Sequence, residues 1–390
     1  MNTPMLPIVV IGTHTVGLGV IRALSGLGVP VIGVYYDPKD MGYLSNQLTE
    51  RVLVPHPELR ETEFVRFLLA LSDRLGRCFL LPASDASLAA VSRHKSELAE
   101  KYIVASVEWE IAELFIAKKH TYALAEAAGV PAPKTLIPQS VEDVEAYSRQ
   151  VEYPCLVKPS ESHRFFDIFR TKMIRVESLD EMVAAYRKAA EHSLEVMLQE
   201  IIPGDAPCGA NYNSYWVEDR PLVEFTGQKV RNAPPDFGSP SVVSSVPVPE
   251  ILEPGRKILR AMNFYGYACT EFKRDPRDGV YKLMEVNGRH NLSTLLAVRC
   301  GLNFPEIHYR HLVLGELPPP LTYPHDIYWI DLTRDLYHNL FRTRSQDGFF
   351  APYRRKHIFA ILDFKDPKPF LKRCNDLVKD SLPTPKSKRE

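Results

Sequence analysis

Over the first 105 residues, short apolar runs alternate with stretches of helical period, and few folds accommodate that alternation. Pro7 to Gly12 is an apolar run closed by glycine, which suits a buried parallel strand. Val16, Val20 and Leu24 then recur every four residues, one face of a helix that ends near Gly26 or Gly28. Val29 to Tyr36 reads as a second strand, closed by Asp37-Pro38. Two more repeats follow: a helix over Phe64 to Leu75 with a strand over Cys78 to Leu81, and a helix over Ala86 to Leu98 with a strand over Tyr102 to Ala105. Strands alternating with helices predict an α/β unit built on an open parallel sheet of the Rossmann type.

Such a sheet invites a nicotinamide cofactor, but the glycines argue against one. A dinucleotide fingerprint needs G-x-G-x-x-G so that backbone can approach the pyrophosphate. Here they fall at Gly12, Gly17 and Gly19. Gly12 and Gly17 have the P-loop spacing, yet Leu18-Gly19 replaces the Lys-Ser/Thr that would meet phosphate and metal. A tight turn with close helix packing is the better reading of these glycines. Asp37 reads as a turn residue. Ser84 and Asp85 follow the fourth strand, at the carboxyl edge where open α/β sheets bind ligands, and helix N-capping is an equal reading.

Composition narrows the function classes. The chain has 390 residues, which as a soft prior suggests two or three domains. Its 48 Lys and Arg balance 48 Asp and Glu, so the basic excess of a nucleic-acid binder is missing. The six cysteines stand apart without C-x-x-C, which suggests neither zinc nor disulfides but a reduced, cytoplasmic chain. No apolar run approaches the roughly 20 residues of a membrane helix, and the start lacks the basic region of a signal peptide.

The middle of the chain carries the chemistry. Tyr153 to Pro159 and Met197 to Asp205 are apolar strands that end in charged or hydrogen-bonding groups. Lys158 closes the first, which is unfavourable unless an anion meets it or the side chain snorkels to water. Further on, Gly266 to Lys273 reads as a strand, Asp275-Pro276-Arg277-Asp278-Gly279 as a turn, and Val280 to Asn287 as the return strand. Pairing Arg274 with Val280 places Glu271 opposite Leu283. Glu285 is then its diagonal neighbour on the same face, about 7–8 Å away by Cα. Glu285 and Asn287 are two apart and share that face. Two carboxylates and an amide oxygen suit Mg²⁺ bound together with nucleotide phosphates. A slip of one residue would turn Glu271 to the other face.

With these residues in view, the chain resembles the ATP-grasp superfamily over roughly residues 5–320, and within it the carboxylate–amine ligase branch that includes D-aspartate ligase-like proteins. The resemblance implies a Rossmann-like first domain (1–115) and then a two-lobed ATP-grasp domain. Its small nucleotide lobe spans 116–200, and its catalytic lobe, on a largely antiparallel sheet, spans 201–325. It assigns ATP contacts to Lys118, Lys158, Gln199, Glu200, Ile201, Ile202 and Asp205. It assigns the metal to Glu271, Glu285 and Asn287, since Glu-Val-Asn-Gly-Arg is a near copy of the usual Glu-Ile-Asn-Pro-Arg. Two Mg²⁺ ions are implied, with Mn²⁺ able to stand in. Lys229, Arg231 and Arg289 are implied to grip phosphate and acid; Asp85, His163, Arg164 and His290 are further substrate candidates. Three positions depart from the family pattern: the loop Ser160 to Phe166 has no glycine, Gly288 replaces the usual proline, and Cys269 stands where some relatives carry arginine.

Residues 331–390 hold 14 Lys and Arg against 8 Asp and Glu. His357 to Phe364 reads as a strand, Pro369 to Val378 as a helix, and the polar tail from about 381 as disordered. This 326–390 extension either meets an anionic, lipid-linked or cell-wall acceptor or is a solvated surface. The expectation is therefore an ADP-forming ligase that joins a small-molecule acid to an amine through an acylphosphate. No nucleic-acid partner is expected, and a homodimer is left open. The alternatives are a grasp-fold protein that binds ATP without turnover and a dinucleotide oxidoreductase.

Overall fold

The computed structural model describes residues 5–159, 165, 168–171, 173–235, 238–342 and 348–381. His163, Arg164 and the rest of the loop at 160–164 lie outside the described residues, as do the residues after 381.

The N-terminal alternation forms β1 (Ile8–Ile11), α1 (Thr15–Leu24), β2 (Val31–Tyr35), β3 (Glu50–Leu53), α2 (Glu61–Leu75), β4 (Cys78–Pro82), α3 (Asp85–Arg93), α4 (Lys95–Ala99) and β5 (Tyr102–Val104). The five strands make a wholly parallel sheet in the order β3-β2-β1-β4-β5. β1 is central and buried along its whole length, as its run of branched apolar residues requires. β3 was not foreseen. Glu50-Arg51-Val52-Leu53 is an edge strand with no apolar run, and Leu53 is exposed. The glycines serve packing: a Cβ on Gly17 would lie 1.8 Å from the Gly12 carbonyl, so α1 rests directly on the end of β1. Ser84 caps α3 by accepting from the Ser87 N–H, within a reciprocal capping box. The helix expected over Ala86 to Leu98 breaks at His94, whose ring turns to Glu61 of α2.

The chain then runs through α5 (Trp109–Ile116) and α6 (Lys118–Ala127) into a small lobe. Here β6 (Thr135–Leu136), α7 (Val141–Ser148), β7 (Cys155–Pro159), β8 (Ile174–Val176), α8 (Leu179–Glu191) and β9 (Val196–Glu200) follow in order. Its four strands pair antiparallel in the order β6-β9-β7-β8.

The third unit holds β10 (Gly209–Val217), β11 (Arg220–Ala233), β12 (Ser239–Ser245), α9 (Leu252–Ala261), β13 (Gly266–Arg274), β14 (Tyr281–Asn287), α10 (Thr294–Arg299) and α11 (Phe304–Tyr309). β15 (Tyr328–Ile330), α12 (Leu332–Asp335), β16 (His357–Phe359) and α13 (Lys368–Ser381) complete it. Seven strands form one sheet in the order β14-β13-β10-β11-β12-β15-β16, antiparallel except for the last pair. The C-terminal segment therefore supplies two strands of this sheet; β15 had no counterpart in the sequence reading, and β16 stops five residues short of Phe364. One sheet face packs Tyr215, Phe225, Val243, Tyr267 and Cys269 under Leu295 and Leu296 of α10 and Phe304 of α11. The other packs Tyr212, Trp216, Phe272 and Leu283 against Ile258 and Leu259 of α9 and Phe115 of α5.

Candidate functional site

The hairpin β13–β14 sets the position of the acidic residues, and its register differs from the expected one. The Asp275 N–H donates to the Val280 carbonyl (2.9 Å), and the Gly279 N–H donates to the Asp275 carbonyl (2.7 Å). The turn thus closes on Asp275 and Val280, and Arg274 pairs with Tyr281 rather than Val280. A bulge between Glu271 and Phe272 then takes in Met284 as an extra residue, so Phe272 faces Leu283 and Glu271 faces Glu285. The two carboxylates are direct cross-strand partners instead of diagonal ones, a separation of about 4.5–5.5 Å between Cβ atoms. The bulge is held from outside the hairpin. Tyr122 of α6 donates its hydroxyl to the Met284 carbonyl (2.8 Å), and the Leu283 N–H donates to the Pro131 carbonyl (2.7 Å). Asn287, opposite Cys269, lies two residues beyond Glu285 on the same face.

Lysines meet both carboxylates. Lys229 of β11 reaches Glu271 at 2.6 Å, and Lys118 at the start of α6 reaches Glu285 at 3.3 Å. Lys229 must cross β10 to do so. Gly209 makes this feasible, because a Cβ there would lie 2.7 Å from the Lys229 Cδ. The charge of Lys229 holds Glu271 below the usual carboxylate range, against the effect of burial. Burial works against the ammonium of Lys229, but Glu271 outweighs it and raises its pKa. The same balance, with Glu285 as the counter-charge, raises Lys118. Two carboxylates and an amide oxygen on one sheet face fit a hard cation held jointly with an anion, which would take over the two lysines.

Next to this cluster is a cavity of about 380 Å³, lined by Lys158, Gln199, Glu200, Ile201, Ile202, Asp205, Lys229, Phe272 and Met284 among others. The strand-end residues singled out in the sequence thus meet in one space, between β7 and β9 of the small lobe and the large sheet. Lys158 donates to the Gln199 side-chain oxygen (2.5 Å), and Gln199 in turn donates to Thr135 (3.0 Å). Burial, then the charge of Lys118, push Lys158 down to about 8. Glu200 turns its carboxylate away to the Lys134 N–H (2.8 Å) and to Arg277 (3.1 Å), a residue read from sequence only as part of a turn. Arg277 also binds Asp275 at 2.6 Å, so it ties the hairpin to the end of β9.

The remaining candidates separate. Arg289 forks onto Asp85 at the start of α3 through two bonds of 2.7 and 2.8 Å. His14, which sequence reasoning passed over, sits beside them and caps α1. Burial, then Arg289, push its imidazole down to about 4, against a pull from Asp85. Arg231 forks onto Asp335 of α12 (2.9 and 2.7 Å) and lies over the Phe349 ring. Asp335 is fully buried and also accepts from Ser241, Asn339 and Tyr353. His290 is buried against Tyr267, and neither ring nitrogen has a hydrogen-bond partner among the described residues. Burial holds it neutral, far below its ordinary range. Gly288 is required by packing: a Cβ there would lie 2.4 Å from the Phe115 ring.

No family model matches the chain. A D-aspartate ligase of Enterococcus faecium is 27% identical over 266 residues, which is 63% of this chain and 62% of that enzyme. The chain thus aligns with less than two thirds of that relative's length. The crystal structure of an L-amino acid ligase from Bacillus licheniformis superposes with a TM-score of 0.61 at 16% identity, covering 82% of this chain and 78% of the other. The chain has the ATP-grasp fold. A biotin carboxylase from Campylobacter jejuni, in a complex with a nucleotide, shares the ATP-grasp fold with a TM-score of 0.66 at 12% identity, over 84% of this chain and 75% of that one.

Proposed function

We propose that this protein is an ADP-forming ligase that joins a small carboxylic acid to an amine. The observation that carries the reading is the direct pairing of Glu271 with Glu285, each countered by a lysine, beside a cavity closed by Lys158. The 380 Å³ cavity takes the nucleotide, with the backbone of Glu200 to Ile202 at its base and Asp205 toward the ribose. Lys118, Lys158 and Lys229 bind the polyphosphate. Glu271, Glu285 and Asn287 hold magnesium, which when bound neutralises charge on the phosphates. A carboxylate oxygen of the acid attacks the γ-phosphorus, the bond from that phosphorus to the β-bridging oxygen breaks, and ADP leaves. The amine then attacks the acyl carbon, phosphate departs, and the amine proton goes to solvent. Arg289 provides the guanidinium fork that suits a carboxyl or acylphosphate oxygen pair. The fork of Arg231 is taken up by a buried carboxylate, and we assign it to holding the C-terminal segment.

A screen of ADP release across amino acids and other carboxylates, D-aspartate included because of the relative's activity, tests this reading. Hydroxylamine in place of the amine should trap a hydroxamate with stoichiometric ADP. Release of AMP and pyrophosphate, or ATP binding with no acid-dependent ADP, overturns it.

A further inference from the structure

The fork of Arg289 is filled by this chain itself. Asp85 presents both carboxylate oxygens to the Nε and Nη2 of Arg289 at 2.7 and 2.8 Å, the two-bond geometry in which arginine takes any carboxylate. The two partners are unequal: the Arg289 side chain is 18% exposed and that of Asp85 67%. Arg289 also donates to its neighbour's carbonyl at His290 (3.2 Å), so its head is fixed from its own strand end. Asp85 stands at the first turn of α3, on the carboxyl edge of the parallel sheet, and among the described residues its carboxylate hydrogen-bonds to Arg289 alone. The pair is open to solvent on its Asp85 side, so a second carboxylate can take the place of Asp85 without uncovering a buried charge.

From this we infer that Asp85 is an internal occupant of the site that Arg289 offers to the carboxyl group of the acid or to its acylphosphate. Asp85 holds the Arg289 fork in plane and away from other anions, and swings out to solvent when the ligand arrives. His14 adds no competing charge, since it stays neutral beside the pair. This inference rests on the ligase reading for the identity of the ligand. Its test does not depend on turnover.

Acetylphosphonate, a stable analogue of an acylphosphate, is titrated calorimetrically into the full chain preloaded with ADP and Mg²⁺. Asp85→Asn removes the competing charge at an exposed position, and an unchanged melting temperature checks the fold. The variant should bind the analogue about two- to five-fold more tightly than the parent, the range an exposed pair allows. Arg289→Lys should lose binding in both backgrounds. Equal or weaker binding by Asp85→Asn overturns the inference, because Asp85 would then be a support for Arg289 and not its occupant. Absence of binding to either protein overturns it as well. Tighter binding by Asp85→Asn, combined with no ADP release from any acid, leaves the occupant in place and removes the ligase reading.

Discussion

Lys158 carries a charge that depends on its surroundings more than that of any other lysine in the cleft. Burial, then the charge of Lys118, push its pKa down to about 8, whereas phosphate needs the charged form. If Lys158 meets the phosphates as proposed, ATP affinity should be full below about pH 8 and fall as the pH rises through and above it, because protonation must then accompany binding. Calorimetry across that range should show proton uptake on binding, and Lys158→Met should abolish both the uptake and about 1.5–3 kcal/mol of affinity. A parent affinity flat through pH 9 or so would show that Lys158 does not meet the phosphates. Glu285→Gln keeps the size of the side chain and removes its charge. We expect Mn²⁺ binding, followed by electron paramagnetic resonance, and ADP release to fall together while the melting temperature holds. Retention of both would sink the metal assignment. At this scale the sequence was informative about residue types: Lys158, Glu271, Glu285 and Asn287 were legible from strand ends and alternation. Partners were not, because Asp335 lies 104 positions from Arg231 and nothing local announces it.

At the scale of elements, the parallel sheet and the β13–β14 hairpin could be read because their apolar runs and turn residues are local signals. The register could not. Met284 continues a regular alternation in sequence, and only the bonds from Tyr122 and Pro131 make it the extra residue of a bulge. β3 and β15 were invisible for a related reason: each is short, and pairing with a neighbour, not pattern, makes it a strand. Gly288 illustrates how packing replaces family habit. The Phe115 ring of α5 occupies the space where a Cβ would sit, so Gly288→Ala should cost about 1–3 kcal/mol in chemical unfolding. Pairing it with Phe115→Leu should restore part of that loss, and additive losses in the double variant would show that the ring is not the obstacle.

Across the whole molecule, the seven-stranded sheet depends on the last sixth of the chain. β15 and β16 extend it beyond β12, and Asp335 anchors this extension to Arg231 of β11 and Ser241 of β12. Removing one charge of a buried pair leaves the other uncompensated, so Asp335→Asn should destabilise the protein by about 3–5 kcal/mol in denaturant unfolding. Limited proteolysis should then cut first beyond β12. A loss under about 1 kcal/mol would mean that the remaining donors hold the segment without the ion pair.

The two ends of the chain also meet. Arg22 of α1 binds Asp366 at 3.0 Å, and Ser45 and the Asn46 N–H close on the same carboxylate at 2.7 and 2.9 Å, across 344, 321 and 320 positions. A ribosome adding about 5–20 residues per second takes roughly 17 to 70 s to cover that interval. Once the first sheet has emerged, the α1 surface that later meets α10, α11 and Asp366 stays open to water for the rest of that interval. Nascent chains stalled before residue 366 should therefore be held by chaperones and cleaved within the N-terminal unit, and synthesis past α13 should end both together.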